Sequence, residues 1–241
     1  MTFRSLSHGL ALSLCLNAPA MACDIALVLA MDVSGSVDAY EYGLQTQGVA
    51  AALREPAIMD ALLHGEVALA VVQWSGAMEQ MVSIPWIRMN EPAQITRTAA
   101  RIAVMPRAFA GGNTAVGEAI EIASELFAQV RDCNHFVIDV SGDGDENEGY
   151  TVGTARRAAW NAGITINGLA IEPAASGQSI SNFYRRWVVT PNGFVVTAVQ
   201  YDDFARAIRV KLLRELIAPM ASAPLIGPVQ HPTPMQLARL P

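Results

Sequence analysis

Seven consecutive apolar residues, Ile25 to Met31, run straight into Asp32-Val33-Ser34-Gly35-Ser36. That juncture limits the fold more than any other feature of the chain. An apolar run without polar alternation suits a strand covered on both faces, the usual state of a parallel sheet flanked by helices. One carboxylate and two hydroxyls then leave the strand end on a tight, glycine-containing turn. Hard oxygen donors of this kind suit Mg²⁺, which takes near-octahedral oxygen coordination and gives up its waters reluctantly.

The rest of the chain alternates strand and helix patterns, which argues an α/β domain with a mostly parallel sheet. Strands are expected at about 25–32, 67–74, 135–141, 164–171 and 194–199. Helical periods lie at 38–54, 57–63, 92–104, after 114, and at 151–162, 179–188 and 202–217. A short segment at 78–84 follows the second strand too closely for a helical crossover, so it must return antiparallel at a sheet edge.

With 241 residues, 52% of them hydrophobic, the chain can bury one large domain. The net charge is −6 and Lys211 is the one lysine. No basic stripe is present, so a nucleic-acid surface is not expected. Residues 1–22 read as a secretory signal peptide: Arg4 supplies the positive start, Gly9 to Leu16 the apolar core, and Ala20-Met21-Ala22 a small-x-small cleavage site. After it, no apolar stretch reaches the ~18 residues of a membrane span. The expected location is periplasmic or secreted. Lipid anchoring at Cys23, which directly follows the cleavage site, is the alternative, although Ala20 stands where a lipobox usually has leucine. Residues 219–241, with six prolines and no periodicity, read as an extended tail.

Two downstream segments give the first turn its context. Gly111-Gly112-Asn113-Thr114 is a flexible loop whose threonine opens a helix. Phe136 to Gly144 is a second buried strand ending in Asp143-Gly144. In order and spacing these segments resemble the von Willebrand factor A (VWA) family, over roughly residues 24–217. The resemblance implies a doubly wound, Rossmann-like, six-stranded sheet of order 3-2-1-4-5-6 with one antiparallel edge strand, filling residues 23–218. It also implies a metal-ion-dependent adhesion site (MIDAS) formed by Asp32, Ser34, Ser36, Thr114 and Asp143. In that site the hydroxyls ligate directly and the aspartates hold ligand waters. The Mg²⁺ or Mn²⁺ ion stays electrophilic and accepts a carboxylate from a protein partner. Taken singly, the same serines and aspartates are also ordinary helix and turn caps. Asp145, Asn147 and Glu172 are expected near the rim of the site.

In the implied strand order, strands one and four are parallel neighbours. Cys23 precedes Asp32 by nine residues and Cys133 precedes Asp143 by ten. Both cysteines therefore fall at the amino end of the sheet, within disulfide reach. Free thiols, or lipidation of Cys23, are the alternatives.

Other chemistries fit less well. An EF-hand at Asp143 has Glu148 where glycine is required and Thr154 where the bidentate glutamate belongs. A metal-dependent phosphatase-like hydrolase using Asp32 is the strongest enzyme reading, but it needs a second aspartate where Ser34 stands and a phosphate-steadying lysine. There is no Gly-x-Ser-x-Gly elbow and no Gly-x-Gly-x-x-Gly after the first strand. The expectation is a binding module and not an enzyme.

Overall fold

The computed structural model describes residues 23–172 and 179–221. The expected signal segment 1–22 and residues 222–241 of the expected tail lie outside them. The strands are β1 (Ile25–Asp32), β2 (Ala68–Trp74), β3 (Gln80–Arg88), β4 (His135–Gly142), β5 (Ile164–Glu172) and β6 (Val195–Val199). They form one sheet of order β3-β2-β1-β4-β5-β6, with β2–β3 antiparallel and the other pairs parallel. The helices are α1 (Ala39–Leu53), α2 (Pro56–His64), α3 (Pro92–Ala103), α4 (Val116–Leu126), α5 (Val152–Asn161), α6 (Ile180–Phe183) and α7 (Phe204–Ala221). The fold class, strand order and antiparallel edge strand are those read from the sequence.

Side chains alternate across the pleat, so the apolar runs feed two cores. Leu29, Val71, Val137 and Leu169 join the core under α1, α3 and α7. Val28, Val72, Ile138 and Ile166 join the core under α4 and α5. All eight are at least 96% buried, which explains the unbroken apolar runs of β1 and β2, whereas β4 and β5 interrupt theirs with polar residues that are themselves buried, Asp139, Ser141 and Asn167.

Helix boundaries follow local chemistry. Asp38 caps α1 in a reciprocal box: its carboxylate accepts from Glu41 N, and Glu41 accepts from Asp38 N. Pro56 and Pro92 occupy the first helical positions of α2 and α3, where no amide hydrogen is needed. Three boundaries differ from the sequence reading, the first being the edge strand, expected at 78–84 and found at Gln80–Arg88. The helix expected over 179–188 is a single α turn followed by a π-helical turn at Tyr184–Val188. The wider turn seats the Tyr184 ring on Gly168 of β5. The last helix, expected to end at residue 217, continues to Ala221.

Cys23 and Cys133 are joined by a disulfide with a Cα–Cα distance of 4.3 Å. It ties the segments entering β1 and β4 at the amino end of the sheet.

Lys211 is fully buried. From α7 its ammonium pairs with Asp139 of β4 at 2.6 Å and with Glu215 at 2.5 Å. The Asn167 amide donates to the same Glu215 oxygen. Burial lifts the carboxyls of Asp139 and Glu215 above their ordinary values, against the pull of the shared Lys211 charge. In the sequence Lys211 is simply a residue of the helical period at 202–217. It is instead the polar centre of the α7–sheet contact.

Candidate metal centre

Three loops meet beyond the carboxyl ends of β1 and β4, the position where doubly wound sheets place ligands. The β1 loop folds back at once, with Ser34 N donating to Asp32 Oδ1 at 2.8 Å. Gly35 N donates to Gly112 O at 3.0 Å, joining the first loop to the second. Gly112 has φ +94°, and a Cβ there would collide with the Glu79 carboxylate and the Ser75 hydroxyl. The Ser75 hydroxyl in turn donates to Gly111 O and Asn113 O. The double glycine therefore serves close approach and a left-handed turn together.

The five oxygen-bearing residues form one connected cluster. The Ser36 hydroxyl donates to Asp143 Oδ1 at 2.6 Å. It lies 3.3 Å from the Ser34 hydroxyl, which the Thr114 hydroxyl approaches at 3.5 Å. Asp32, Ser34, Thr114 and Asp143 are buried, whereas Ser36 is exposed and opens the cluster to solvent. Asp32 Oδ2 is buried without a hydrogen-bond partner. Gly142 lets the strands close over it, since a Cβ there would stand 2.7 Å from both Asp32 Oδ2 and the Tyr184 hydroxyl. Burial, and then the facing Asp143 charge, push the Asp32 carboxyl up to about 7. Two buried carboxylates converging on neutral hydroxyls, one oxygen unmatched, make a set that a hard divalent cation completes. Every donor is oxygen, which favours Mg²⁺ or Mn²⁺ over metals preferring nitrogen or sulfur.

The expected rim residues divide. Asn147 is exposed, yet its Oδ1 accepts from Thr114 N at 2.8 Å, so it positions the threonine. Asp145 is exposed and lines a separate hollow with Ser179, Asn182 and Arg186. Glu172 turns away to the start of α6, accepting from Ser179 Oγ, Ile180 N and Ser181 N. Against the upward pull of burial, those bonds hold its carboxyl below the usual range. Glu146 and Glu148 of the same acidic loop accept from Gly117, Val152 and Ala77 amides, so this loop is stitched to its neighbours.

Four supporting residues had no signal in the sequence. Arg107 donates to the carbonyls of Val33 and Ser34 at 2.8 and 2.7 Å, bracing the first loop from behind. The Gln45 amide donates to Asp32 O at 3.1 Å. Tyr184 and Tyr201 bury hydroxyls that have no hydrogen-bond partner. Burial first, and then the charges of Asp32 and Asp143, hold both phenols above their ordinary range. Each depends on a contact spanning many residues of sequence, which periodicity cannot register.

Three solved structures illustrate the likeness of fold. The open-conformation pilus adhesin SpaC from Lactobacillus rhamnosus GG has a TM-score of 0.61 at 15% identity, covering 80% of this chain and 30% of that one. A von Willebrand factor type A structure from Catenulispora acidiphila has a TM-score of 0.55 at 17% identity, covering 80% and 43%. Proximal thread matrix protein 1 from the mussel byssus, with a zinc-occupied MIDAS motif, has a TM-score of 0.56 at 16% identity, covering 83% and 46%. The chain thus spans less than half the length of each. No curated protein matches the sequence. A family model described as "Protein of unknown function (DUF1194)" matches residues 22–220. The chain belongs to that family, and its fold is that of a VWA domain.

Proposed function

We propose that this protein is an exported, metal-dependent protein-binding module. Ser34, Ser36 and Thr114 would hold Mg²⁺ or Mn²⁺ directly, and Asp32 and Asp143 through water. The observation that carries this reading is the buried, unpartnered Asp32 Oδ2 facing Asp143 inside a cluster otherwise made of hydroxyls. With few anions bound directly, the ion keeps the electrophilicity to take a partner's carboxylate. The zinc-occupied MIDAS of the mussel protein supports a divalent ion at this place in the fold. The pilus adhesin supports a binding role.

Export rests on the n-region, apolar core and cleavage pattern of residues 1–22 and on the Cys23–Cys133 bridge, which suits an oxidising compartment. Among the described residues no helix is long and apolar enough to cross a membrane. The phosphatase-like alternative lacks its cation, because Lys211 is sealed between Asp139 and Glu215.

Isothermal titration of the mature chain tests the reading. One Mg²⁺ or Mn²⁺ site is expected, lost in Asp32→Ala and weakened at least tenfold in Thr114→Ala. Undiminished binding in Asp32→Ala would overturn it. Phosphoester turnover lost in Asp32→Asn would favour the hydrolase instead.

A further inference from the structure

A hollow of about 400 Å³ opens on the flank of the sheet, between α5, the π turn at Tyr184–Val188 and the start of β6. Arg156 and Arg185 line it together with Thr190, Gly193 and Phe194, and no carboxylate does. Strand register places it away from the metal centre. Val195 pairs with Gly168, and Gly168 with Val140, so the hollow stands two strands across from Asp143 and about 10 Å short of it along the strands. Its wall is fixed to β5 and α7. The Thr190 hydroxyl accepts from Ile166 N at 2.9 Å, and Phe194 N donates to Asn167 Oδ1 at 3.1 Å. The Arg214 guanidinium lies 3.8 Å from the centre of the Phe194 ring.

Charge is segregated on this flank. From 151 to 201 the chain carries four arginines, Arg156, Arg157, Arg185 and Arg186, and one carboxylate, Glu172, although its net charge is −6. Glu172 is taken up by Ser179, Ile180 and Ser181 at the start of α6. Among the described residues none of the four arginines forms an ion pair. An independent observation is the way the two lining guanidiniums are held. Arg156 donates through Nη1 to the carbonyls of Arg186 and Val189 at 2.9 and 3.4 Å. Arg185 donates through Nη1 to Asn182 Oδ1 at 3.3 Å. Each is anchored by one nitrogen. Its Nε–Nη2 edge, the fork that matches an oxyanion, has no acceptor among the described residues.

We propose that this hollow binds a phosphate group, carried by a soluble phosphate ester or by the headgroup of an anionic phospholipid. The inference does not depend on metal binding. A carboxylate presents its oxygens in one plane, which suits one fork. A phosphate arrays its oxygens around a tetrahedron and takes a fork from each arginine. The concave wall, free of carboxylates, strengthens the field that draws the anion in. Trp160 follows Arg156 by one turn on the same face of α5 and is 43% exposed. To a lipid it offers an indole at headgroup depth.

Both measurements are made in EDTA, so that phosphate held by a metal does not contribute. Amide spectra of the ¹⁵N-labelled mature chain are recorded with inorganic phosphate, malonate and chloride at one ionic strength. Phosphate is expected to shift the amides of Thr190, Gly193 and Phe194, and chloride to leave them in place. Arg185→Gln gives up only the Asn182 contact and should raise the phosphate Kd about fivefold. Arg185→Lys keeps the charge without the fork and should raise it about threefold. Arg97→Gln, the same loss of charge on α3, should leave it unchanged. An unchanged Kd in Arg185→Gln would overturn the site. Malonate binding as tightly as phosphate would overturn the choice of phosphate.

Vesicles identify the source of the phosphate. The chain is sedimented with phosphatidylcholine alone and with phosphatidylcholine containing about one-third phosphatidylglycerol. If only the anionic vesicles carry it down, and Arg185→Gln and Trp160→Ala each release it, the ligand is a lipid headgroup. If it stays in solution while inorganic phosphate binds, the ligand is a soluble ester. Sedimentation undiminished in Arg185→Gln would overturn the headgroup as ligand of this hollow. Failure of both probes would overturn the proposal altogether.

Discussion

Asp32 concentrates the chemistry of the site in one side chain. One oxygen accepts from Ser34 N, the other has no partner, and the facing Asp143 repels its charge. The direction of its titration follows. Its folded-state value, about 7, lies above the ordinary 3.8, so the metal-free fold binds the proton more tightly than the unfolded chain does. That contribution to stability is complete below about pH 4 and is lost as the pH rises through about 7. Asp32→Asn removes the charge and should flatten this part of the profile, making the metal-free protein more stable than wild type at pH 8 by about 2–4 kcal/mol. Urea unfolding in EDTA from pH 4 to pH 8 measures it. Glu215 is also pushed up to about 7, so it is the difference between variant and wild type that isolates Asp32. Saturating Mg²⁺ should restore wild-type stability at pH 8 and do nothing for Asp32→Asn. A variant as pH-dependent as wild type would show that burial of Asp32 carries no such penalty.

At the scale of elements, α7 is held to the sheet by the Asp139–Lys211–Glu215 cluster as well as by apolar contacts such as Phe204, Ile208 and Leu212. Removing the single cation leaves two buried carboxylates unmatched. Lys211→Met should therefore destabilise by about 3–5 kcal/mol, far more than loss of an exposed ion pair such as Arg206–Asp203. Adding Asp139→Asn and Glu215→Gln should recover much of that loss, because the remaining groups are neutral. Thermal unfolding of the single and triple variants decides it. A triple variant no better than Lys211→Met would mean that lost packing, not unpaired charge, is the cause.

The same elements show what a sequence can carry. β1 and β2 were legible because burial on both faces favours unbroken apolar runs, β4 and β5 because their apolar residues recur between helical segments, and Pro56 and Pro92 marked helix starts. The convergence of Asp32, Ser34, Ser36, Thr114 and Asp143 was legible because strand ends, loops and spacing place them. The Asp139–Lys211 pair was not. It joins residues 72 positions apart on elements whose mutual register no local pattern encodes. Glu172 was misjudged for a related reason: strand ends point toward the rim in general, but the α6 amides claimed this carboxylate.

At the scale of the molecule, the sheet separates two functions along its strands. The oxygen cluster sits beyond Asp32 and Gly142, and the Cys23–Cys133 bridge sits just before Ile25 and His135. Eight residues of strand stand between them, roughly 26 Å at ~3.3 Å per residue. The bridge spans 110 residues of sequence. In the chain-entropy account, closing so long a loop stabilises by up to ~4–5 kcal/mol, and measured bridges commonly give 2–4. The β1–β4 ladder remains in place without it, from Ile25–His135 to Met31–Ser141. Cys23→Ser/Cys133→Ser should accordingly lose about 2–5 kcal/mol in urea unfolding yet bind Mg²⁺ with the wild-type Kd wherever it is folded. The single variants should do worse than the double, because each leaves a lone thiol free to cross-link chains in an oxidising compartment. A folded double variant with weakened metal binding would show that the bridge sets the spacing of the two aspartate-bearing strands at their far ends. Unchanged stability would show that the two strands are already held as closely in the unbridged chain.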